Sequence, residues 1–525
     1  MTETIAVGRR EFLKSSAVLL GGLVIGFYLP ASNRFARAQS LAPTVYPPNA
    51  FIRIAEDNTV TFLVNKSEMG QGVYTSLPMI IAEELEADWS LIRVEAAPVA
   101  PVYNHTAYGI QMTGGSTSVT SSWEQLRYVG AAAKSLLIQA AAAAWEVDPA
   151  GCYAEKSYVI HRSSGKRLPF GALAKGAAQL PMPKAVVLKD PKDFKLIGTS
   201  VKRIDTPEKV NGTALFGFDI RLAGLLTAVV ARSPVFGGRL KHVDAEQAKA
   251  VPGVQTVVQI PSGVAVVATG FWAAKRGRDA LKVEWEEGGA AALSTAAMRQ
   301  KYAELVKKPG AVAHRQGQTP SEALEGAAKR IGAEYEVPYL AHAMMEPLNC
   351  VVDLRSDGCE IWTGTQFQTV DRNAAAAIAG LKPEQVELHT TLLGGGFGRR
   401  ANPASDFVGE AVHVAKAVRR PVKVVWTRED DIRGGYYRPM WYDRLEAGID
   451  TQGKPIAWHH TIAGQSIMKG TPFEQSFKES GIDPTSVEGA ADLPYAIANV
   501  QVDLHSPDEP VTVQWWRSVG HSHTA

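Results

Sequence analysis

The sequence predicts an α+β fold spread over several domains, and three observations carry that expectation. At roughly one domain per 150 residues, a chain of 525 residues has room for three or four domains with sizeable cores. Hydrophobic residues make up 46% and charged residues 21%, close to the globular average, which excludes disorder and a multi-span membrane protein. Short β-branched runs are interspersed with helical patterns along the chain. Lys and Arg number 55 against 53 Asp and Glu, a formal charge of +2, so the basic footprint of a nucleic-acid binder is absent.

The elements follow in order. Residues 1–38 have the parts of an export signal: basic Arg9, Arg10 and Lys14, an apolar run from Ala17 to Leu29, and a small-residue site at Ala36-Arg37-Ala38. The run Arg9-Arg10-Glu11-Phe12-Leu13-Lys14 resembles the bacterial twin-arginine signal, which exports folded proteins to the periplasm, and places the mature start near Gln39. The apolar run is 13 residues, short of a bilayer span, so a permanent anchor is the weaker reading. Residues 45–195 form a first portion. Its strands are Val60–Val64 and Ile92–Glu95, with an amphipathic helix from Pro78 to Asp88 and an alanine-rich buried helix from Trp123 to Val147. Prolines 181, 183 and 191 mark a linker over 175–195. A second portion, 200–290, carries β-branched strands at 227–230, 255–258 and 264–267. A charged helical connector leads to the last portion, 325–525, with a hairpin at Asp357-Gly358 and a strand, glycine loop and helix over 386–420.

Only three cysteines occur, Cys152, Cys350 and Cys359, with no Cys-x-x-Cys, so the chain cannot build an iron–sulfur cluster or a zinc ribbon. A two-residue turn at Asp357-Gly358 sets Cys359 opposite Ser356 and away from Cys350, which disfavours a disulfide.

Three glycine-rich stretches carry chemistry. Leu393-Gly394-Gly395-Gly396-Phe397-Gly398-Arg399-Arg400 lies between a strand and a helix, where successive backbone N–H groups suit an anion or an oxo ligand. It lacks the closing Gly-Lys-Ser/Thr of a phosphate loop, and Arg399 replaces the third glycine of the dinucleotide fingerprint. Glu68-Met69-Gly70-Gln71-Gly72-Val73-Tyr74-Thr75 is the second. Thr113-Gly114-Gly115-Ser116-Thr117-Ser118-Val119, ahead of the alanine-rich helix, suits a phosphate or diphosphate; as a lone stretch it reads equally as a helix cap. Near the end, Trp515-Trp516-Arg517-Ser518-Val519-Gly520-His521-Ser522-His523 mixes aromatics with a fixed cation, or is a core strand with a surface arginine.

Together with Arg232-Ser233-Pro234, Met345-Glu346-Pro347 and Gly364-Thr365-Gln366, these stretches resemble, over nearly the whole chain, the molybdenum-binding large subunit of the xanthine dehydrogenase/aldehyde oxidase family, in the branch of the isoquinoline 1-oxidoreductase beta chains. The resemblance implies an α/β-hammerhead domain at 200–290 between two molybdopterin-binding portions: a permuted part of the second at 45–195, and the first at 325–525. It implies oxidative hydroxylation of an electron-poor carbon, in an N-heterocycle such as isoquinoline or in an aldehyde, with water as oxygen source. The implied cofactor is molybdopterin cytosine dinucleotide with molybdenum held by the pterin dithiolene and no protein side chain as metal ligand. Electrons pass to a small [2Fe–2S] partner subunit and on to a periplasmic acceptor. Carried over by position, the backbone of Gly396, Phe397 and Gly398 approaches the metal's oxo ligand and the pterin, and Gln71 and Gly72 bond the pterin. Gly115, Ser116, Thr117 and Ser118 hold the phosphate or dinucleotide extension. Arg517 steadies negative charge beside the metal.

The sequence also departs from the family. It stops at Ala525, ahead of the family's C-terminal segment with its Gly-Glu-Pro general base, and Met345-Glu346-Pro347 is not given that role. The expectation is that the isolated 525-residue form is inactive and aggregation-prone. The alternative reading is a non-catalytic cofactor-binding fragment.

Overall fold

The computed structural model describes the backbone of Gly22–Ile25 and, with side chains, residues 51–183 and 185–524. The described residues form two compact units. Unit 1 holds those up to Asp219, with Gly364–Arg372 and Glu387–Leu393; unit 2 holds Ile220–Thr363, Asn373–Val386 and Gly394 onward.

In unit 1 a sheet runs in the order Gly22–Ile25, Ile52–Ala55, Val60–Val64, Ile92–Ala96. The first three strands are antiparallel and the last is parallel to its neighbour. A parallel pair needs a crossover, and the helix Val73–Leu85 supplies it. That helix begins ahead of the predicted Pro78 and ends at Leu85, where Glu86 turns left-handed at φ 61°. The alanine-rich helix spans Trp123–Trp145 and packs on it closely enough that a Cβ at Gly130 would come within 2.5 Å of the Ile81 carbonyl. Leu77, Ile80, Ile81, Leu126, Val129 and Leu137 fill the core between helices and sheet.

Two corrections concern ends of elements in this unit. Gly22–Ile25, inside the apolar run left out of the fold as a leader, pairs as an edge strand with Ile52–Ala55; the rest of the leader lies outside the described residues. The linker over 175–195 overlaps the helix Phe170–Ala177, and its far end is pinned. Glu83, buried, accepts from Lys189 Nζ at 2.6 Å and from the backbone N–H groups of Lys195, Leu196 and Ile197.

In unit 2 a mixed sheet runs Val254–Ile260, Gly263–Ala268, Leu226–Ala231, Val422–Val425, Asn349–Leu354, Cys359–Thr363. Leu226–Ala231 and Val422–Val425 are parallel. Gly263–Ala268 and Val422–Val425 are buried throughout, as strands covered on both faces must be. The helices Phe271–Asp279 and Asp406–Val418 pack on the sheet. A second sheet has the order Ala311–Gln316, Asn499–His505, Pro455–Gly464, Trp441–Ile449, Lys329–Val337.

The hairpin turn is as tight as predicted but sits one residue earlier, at Ser356-Asp357. Cys359 faces Leu354 across a loop closed by Arg355 N–H to Gly358 O at 2.9 Å, and Arg355 also reaches Glu360 at 2.7 Å. All three cysteines are free and buried.

Candidate functional site

In unit 2 the glycine run is folded around one carboxylate. Glu346 Oε2 accepts from Gly394 N–H and Arg400 Nη2, both at 2.9 Å, while Oε1 accepts from Asn349 at 2.9 Å. The Glu346 N–H returns a bond to Gly394 O at 3.0 Å, and Arg400, fully buried, adds bonds to the carbonyls of Gly395 and Glu346. A Cβ at Gly394 would lie 2.3 Å from that of Glu346, so only glycine fits there. Glu346 thus holds the loop through Gly394, Arg400 and Asn349.

Past this anchor Phe397 and Gly398 are left-handed, at φ 53° and 101°. The N–H groups of Gly396, Phe397 and Gly398 make no hydrogen bond among the described residues. Such a run of unengaged N–H groups is a donor set that suits a negative or oxo atom. The run is not at a helix N-terminus as predicted. Pro403 biases Asn402 away from helical geometry, turns intervene, and the helix starts only at Asp406 behind a left-handed Ser405.

The segment 514–518 closes the other side of this loop. Gln514 donates to Gly398 O at 2.9 Å and accepts from Asn402 at 2.7 Å. The Trp515 carbonyl lies where a Cβ on Gly398 would be, 2.5 Å away, and it accepts from His342 Nε2 at 3.0 Å. Trp516 stacks on Phe397 at 6.1 Å and 20°. A cleft of about 590 Å³ is lined by His342, Phe397, Trp516, Arg517 and Ser518. Arg517 is exposed and makes no ion pair or hydrogen bond among the described residues. The segment is thus a looped edge of the cleft and not the core strand weighed from the sequence; Val519 N–H closes a turn on Trp516 O at 2.9 Å. His523 packs flat on Trp441 at 4.0 Å and bonds Asp443, a packing role.

Unit 1 holds the other two stretches. Glu68, buried, accepts from the N–H groups of Gly70 (2.8 Å), Gly72 (3.1 Å) and Tyr74 (3.0 Å) and from Arg203 (3.0 Å). Arg203 also bonds Asp205, whose carboxyl is held at about 2 by Arg203 and Lys209 against the opposing cost of burial. Gln71 folds back on this loop, accepting from Met69 N–H at 2.7 Å and donating to Ser67 O at 2.8 Å. Gly72 caps the helix Val73–Leu85 at φ 91°.

The base of this loop is tied to the third stretch, because Ser67 N–H donates to Thr113 Oγ1 at 2.8 Å. Thr113 and Gln366 exchange bonds at 2.9 and 3.0 Å, bringing in the Gly364-Thr365-Gln366 motif. Gly115 and Ser116 are successive left-handed residues. Thr117 Oγ1 bonds Gly114 O and His105, whose imidazole burial pushes down to about 4. The hydroxyls of Ser116 and Ser118 make no hydrogen bond among the described residues and remain available. Lys66 nearby is buried and, among the described residues, bonds only the Met112 carbonyl, at 3.2 Å; burial lowers its ammonium to about 8.

Two stretches match the family described as "Molybdopterin cofactor-binding domain": residues 305–506 and residues 22–217. The chain is 30% identical to the beta chain of the isoquinoline 1-oxidoreductase of Brevundimonas diminuta over 99% of its own length and 72% of that protein. It belongs to the xanthine dehydrogenase/aldehyde oxidase family of molybdopterin-binding oxidoreductases. It is also 31% identical to the membrane-bound aldehyde dehydrogenase [pyrroloquinoline-quinone] of Gluconacetobacter polyoxogenes, over 92% of this chain and 63% of that one. It is 27% identical to a subunit of the nicotinate dehydrogenase of Pseudomonas putida over 97% of this chain, which spans 43% of that relative.

Among the described residues, unit 2 offers unengaged N–H groups at Gly396, Phe397 and Gly398 and an unpaired guanidinium at Arg517, and unit 1 by itself offers free hydroxyls at Ser116 and Ser118; each set is of the donor kind that the family's cofactor takes. Sequence reasoning missed the two carboxylates that shape the glycine loops, and it missed His342. Glu68 and Glu346 sit inside the quoted motifs, two positions before Gly70 and between Met345 and Pro347, but nothing in their spacing distinguishes an anchor from a surface charge. His342 stands alone between alanines and gives no signal.

Proposed function

We propose that the chain is the cofactor-binding subunit of an exported molybdenum hydroxylase that hydroxylates an electron-poor carbon of an N-heterocycle or an aldehyde. The N-heterocycle and aldehyde names among the relatives support the substrate classes. The observation that carries the reading is the cleft of unit 2, lined by the stacked rings of Phe397 and Trp516 and by Arg517, beside a glycine loop whose N–H groups are unengaged among the described residues. Molybdopterin cytosine dinucleotide, when bound, supplies the two-electron redox chemistry and the oxygen derived from water.

The chain's own residues bind and orient. The N–H groups of Gly396, Phe397 and Gly398 hold an oxo or anionic atom. Phe397 and Trp516 give a planar substrate an apolar face and exclude water from it. Arg517 steadies developing negative charge with its planar guanidinium. In unit 1 Ser116, Ser118, Gly115 and Thr117 take the phosphate-bearing extension, and the Gln71–Gly72 loop contacts the pterin. In the same reading residues 200–290 form the hammerhead domain.

Two of these relatives are named as subunits of larger enzymes, which supports a heteromer. A small [2Fe–2S] subunit is the proposed electron acceptor, because three scattered cysteines cannot supply four ligands. Arg9 and Arg10 support twin-arginine export to the periplasm.

Metal and cofactor analysis of the natively expressed protein with its partners tests this. About one molybdenum per chain with cytosine monophosphate on hydrolysis is expected. Protein carrying no molybdenum, or carrying pyrroloquinoline quinone in its place, overturns the proposal.

A further inference from the structure

Arg517 has no partner of its own among the described residues, so its place in the cleft is set by the residues before it. Those residues are bound one after another. Gln514 is held by Asn402 and Gly398 O, Trp515 by His342, and Trp516 by rings on two sides, Phe397 at 6.1 Å and His342 at 4.9 Å. We propose that His342 is a positioning residue, whose Nε2–H holds the Trp515 carbonyl and thereby sets where Trp516 and Arg517 stand. This deepens the proposed function and rests on Arg517 working in that cleft.

The chemistry of the contact fixes the imidazole. A carbonyl only accepts, so Nε2 carries the proton and the ring is the Nε2–H tautomer. Nδ1 is buried and makes no hydrogen bond among the described residues. Burial pushes the imidazole down to about 4; the Trp515 and Tyr436 carbonyls and Asp406 pull the other way, and Arg399 adds to the fall. At working pH the ring is therefore a neutral donor locked in one tautomer, and it does not switch. The next residue, Ala343, is left-handed at φ 49°, a conformation that a Cβ disfavours, so the chain accepts local strain where it delivers this side chain. The Trp515 carbonyl is in turn pressed against Gly398, whose missing Cβ leaves the space it occupies. His342 thus clamps the aromatic segment onto the glycine loop, with each at the distance the other requires.

The competing role for a buried ring is to fill space, and two substitutions separate the roles. His342→Gln keeps an N–H at similar reach and loses the ring; His342→Phe keeps a ring against Trp516 and loses the donor. Hydrogen–deuterium exchange of the full chain reads peptide 514–520, where Val519 N–H bonds Trp516 O. Loss of one buried hydrogen bond is expected to speed exchange there about fivefold to tenfold in His342→Phe, with His342→Gln near wild type. Wild-type protection in the Phe variant, or equal loosening in both, overturns the proposal.

Nitrogen-15 histidine spectra of the wild type give a second arm that no folding defect touches, His342 being assigned by its absence in the variants. An unchanging Nε2–H signal from pH 5.5 to 8 is expected, and an Nδ1–H tautomer or a titration in that range overturns the proposal. Neither readout needs cofactor, so absence of molybdenum would sink the functional reading while leaving this one to stand or fall separately. In the loaded enzyme His342→Phe should lower kcat/KM with the same substrate pattern as Arg517→Lys.

Discussion

The two units each fold a glycine loop around a buried glutamate that is paired with an arginine, and the loops come out opposite. In unit 1 Glu68 consumes the donors: Gly70, Gly72 and Tyr74 all point their N–H groups inward at it. The product is a helix cap. In unit 2 Glu346 takes only Gly394, the first glycine of the run, and leaves the N–H groups of Gly396, Phe397 and Gly398 without a hydrogen bond among the described residues. The product is a donor surface. One device, a carboxylate under a glycine turn, thus closes a loop when it sits in the middle of the donors and opens one when it sits at their edge.

The difference is sharpest in what each arginine loses without its glutamate. Arg400 is fully buried, and removing one member of a buried pair typically costs about 3–5 kcal/mol, because a desolvated charge is left behind. Glu346→Ala is expected to lose stability in that range in denaturant unfolding. Glu68→Ala should lose less, because Arg203 keeps 37% of its side-chain exposure and retains Asp205 at 2.7 Å. Equal losses would mean that the two anchors are not distinguished by burial.

Lys66 next separates the loops by pH. It lies two residues before Glu68, buried with no carboxylate at ion-pair distance among the described residues, and no such cation underlies the unit 2 loop. Its folded pKa, lowered from 10.5 to about 8, is below the unfolded value, so burial of the charge destabilises the fold fully below pH 8. That penalty is relieved as pH rises from about 8 to 10.5. Lys66→Met is therefore expected to be more stable than wild type at pH 7 by up to about 3 kcal/mol, less its lost hydrogen bond, with the gap narrowing toward pH 10.5. A gap that is constant over this range would show that Lys66 is not the group responsible.

How much of this was legible follows the range of the interactions. The helix Trp123–Trp145 and the strands Val60–Val64 and Val264–Val267 are local in origin, written in alanine content and β-branching, and the sequence reading places them within a few residues. The helix Val73–Leu85 starts earlier than its apolar pattern implies because its N-terminal cap is not a neighbouring hydroxyl. It is Glu68 acting through a left-handed Gly72 and backed by Arg203, which stands far along the chain. The hairpin turn reads one residue late, at Asp357-Gly358 in place of Ser356-Asp357, because dipeptide preference ignores the strand pairing of Leu354 with Cys359 and Arg355 reaching to Glu360. At the site, the residues with glycine or arginine signatures are legible in advance, whereas His342 and the two glutamates act through partners that only folding brings near: Trp515, Arg400 and Arg203.

A methyl group tests the loops at their glycines. Gly398 and Gly70 have similar backbone, φ 101° and 110°, so a Cβ strains both. Around Gly70 there is nothing within 4 Å, while at Gly398 the Cβ would meet the Trp515 carbonyl at 2.5 Å. Gly70→Ala should cost about 1 kcal/mol from backbone strain alone, and Gly398→Ala a further ~1–3 kcal/mol from overpacking. The second variant should also displace segment 514–518, visible as faster exchange of that peptide; similar behaviour of the two would show that the loop and the Trp515 segment do not press on each other.

The smallest effect concerns Phe397, the bulky side chain set between Gly396 and Gly398. Phe397 is left-handed at φ 53°, where glycine would be easier, and about a third of it is exposed, so neither backbone preference nor burial accounts for a phenylalanine there. Its contact with Trp516 at 20° and 6.1 Å does, and aromatic pairs of this kind contribute about 0.5–1.5 kcal/mol beyond area. Phe397→Leu keeps the backbone strain and loses the stack, so stability should fall by roughly that amount. Phe397→Gly loses the stack but also relieves the strain, and the two should partly offset, leaving it no less stable than the Leu variant. A double-mutant cycle of Phe397→Leu with Trp516→Leu isolates the ring contact itself. A coupling near zero would mean that the phenylalanine is held in its strained turn for a ligand's face and not for Trp516, leaving it the substrate-facing role alone.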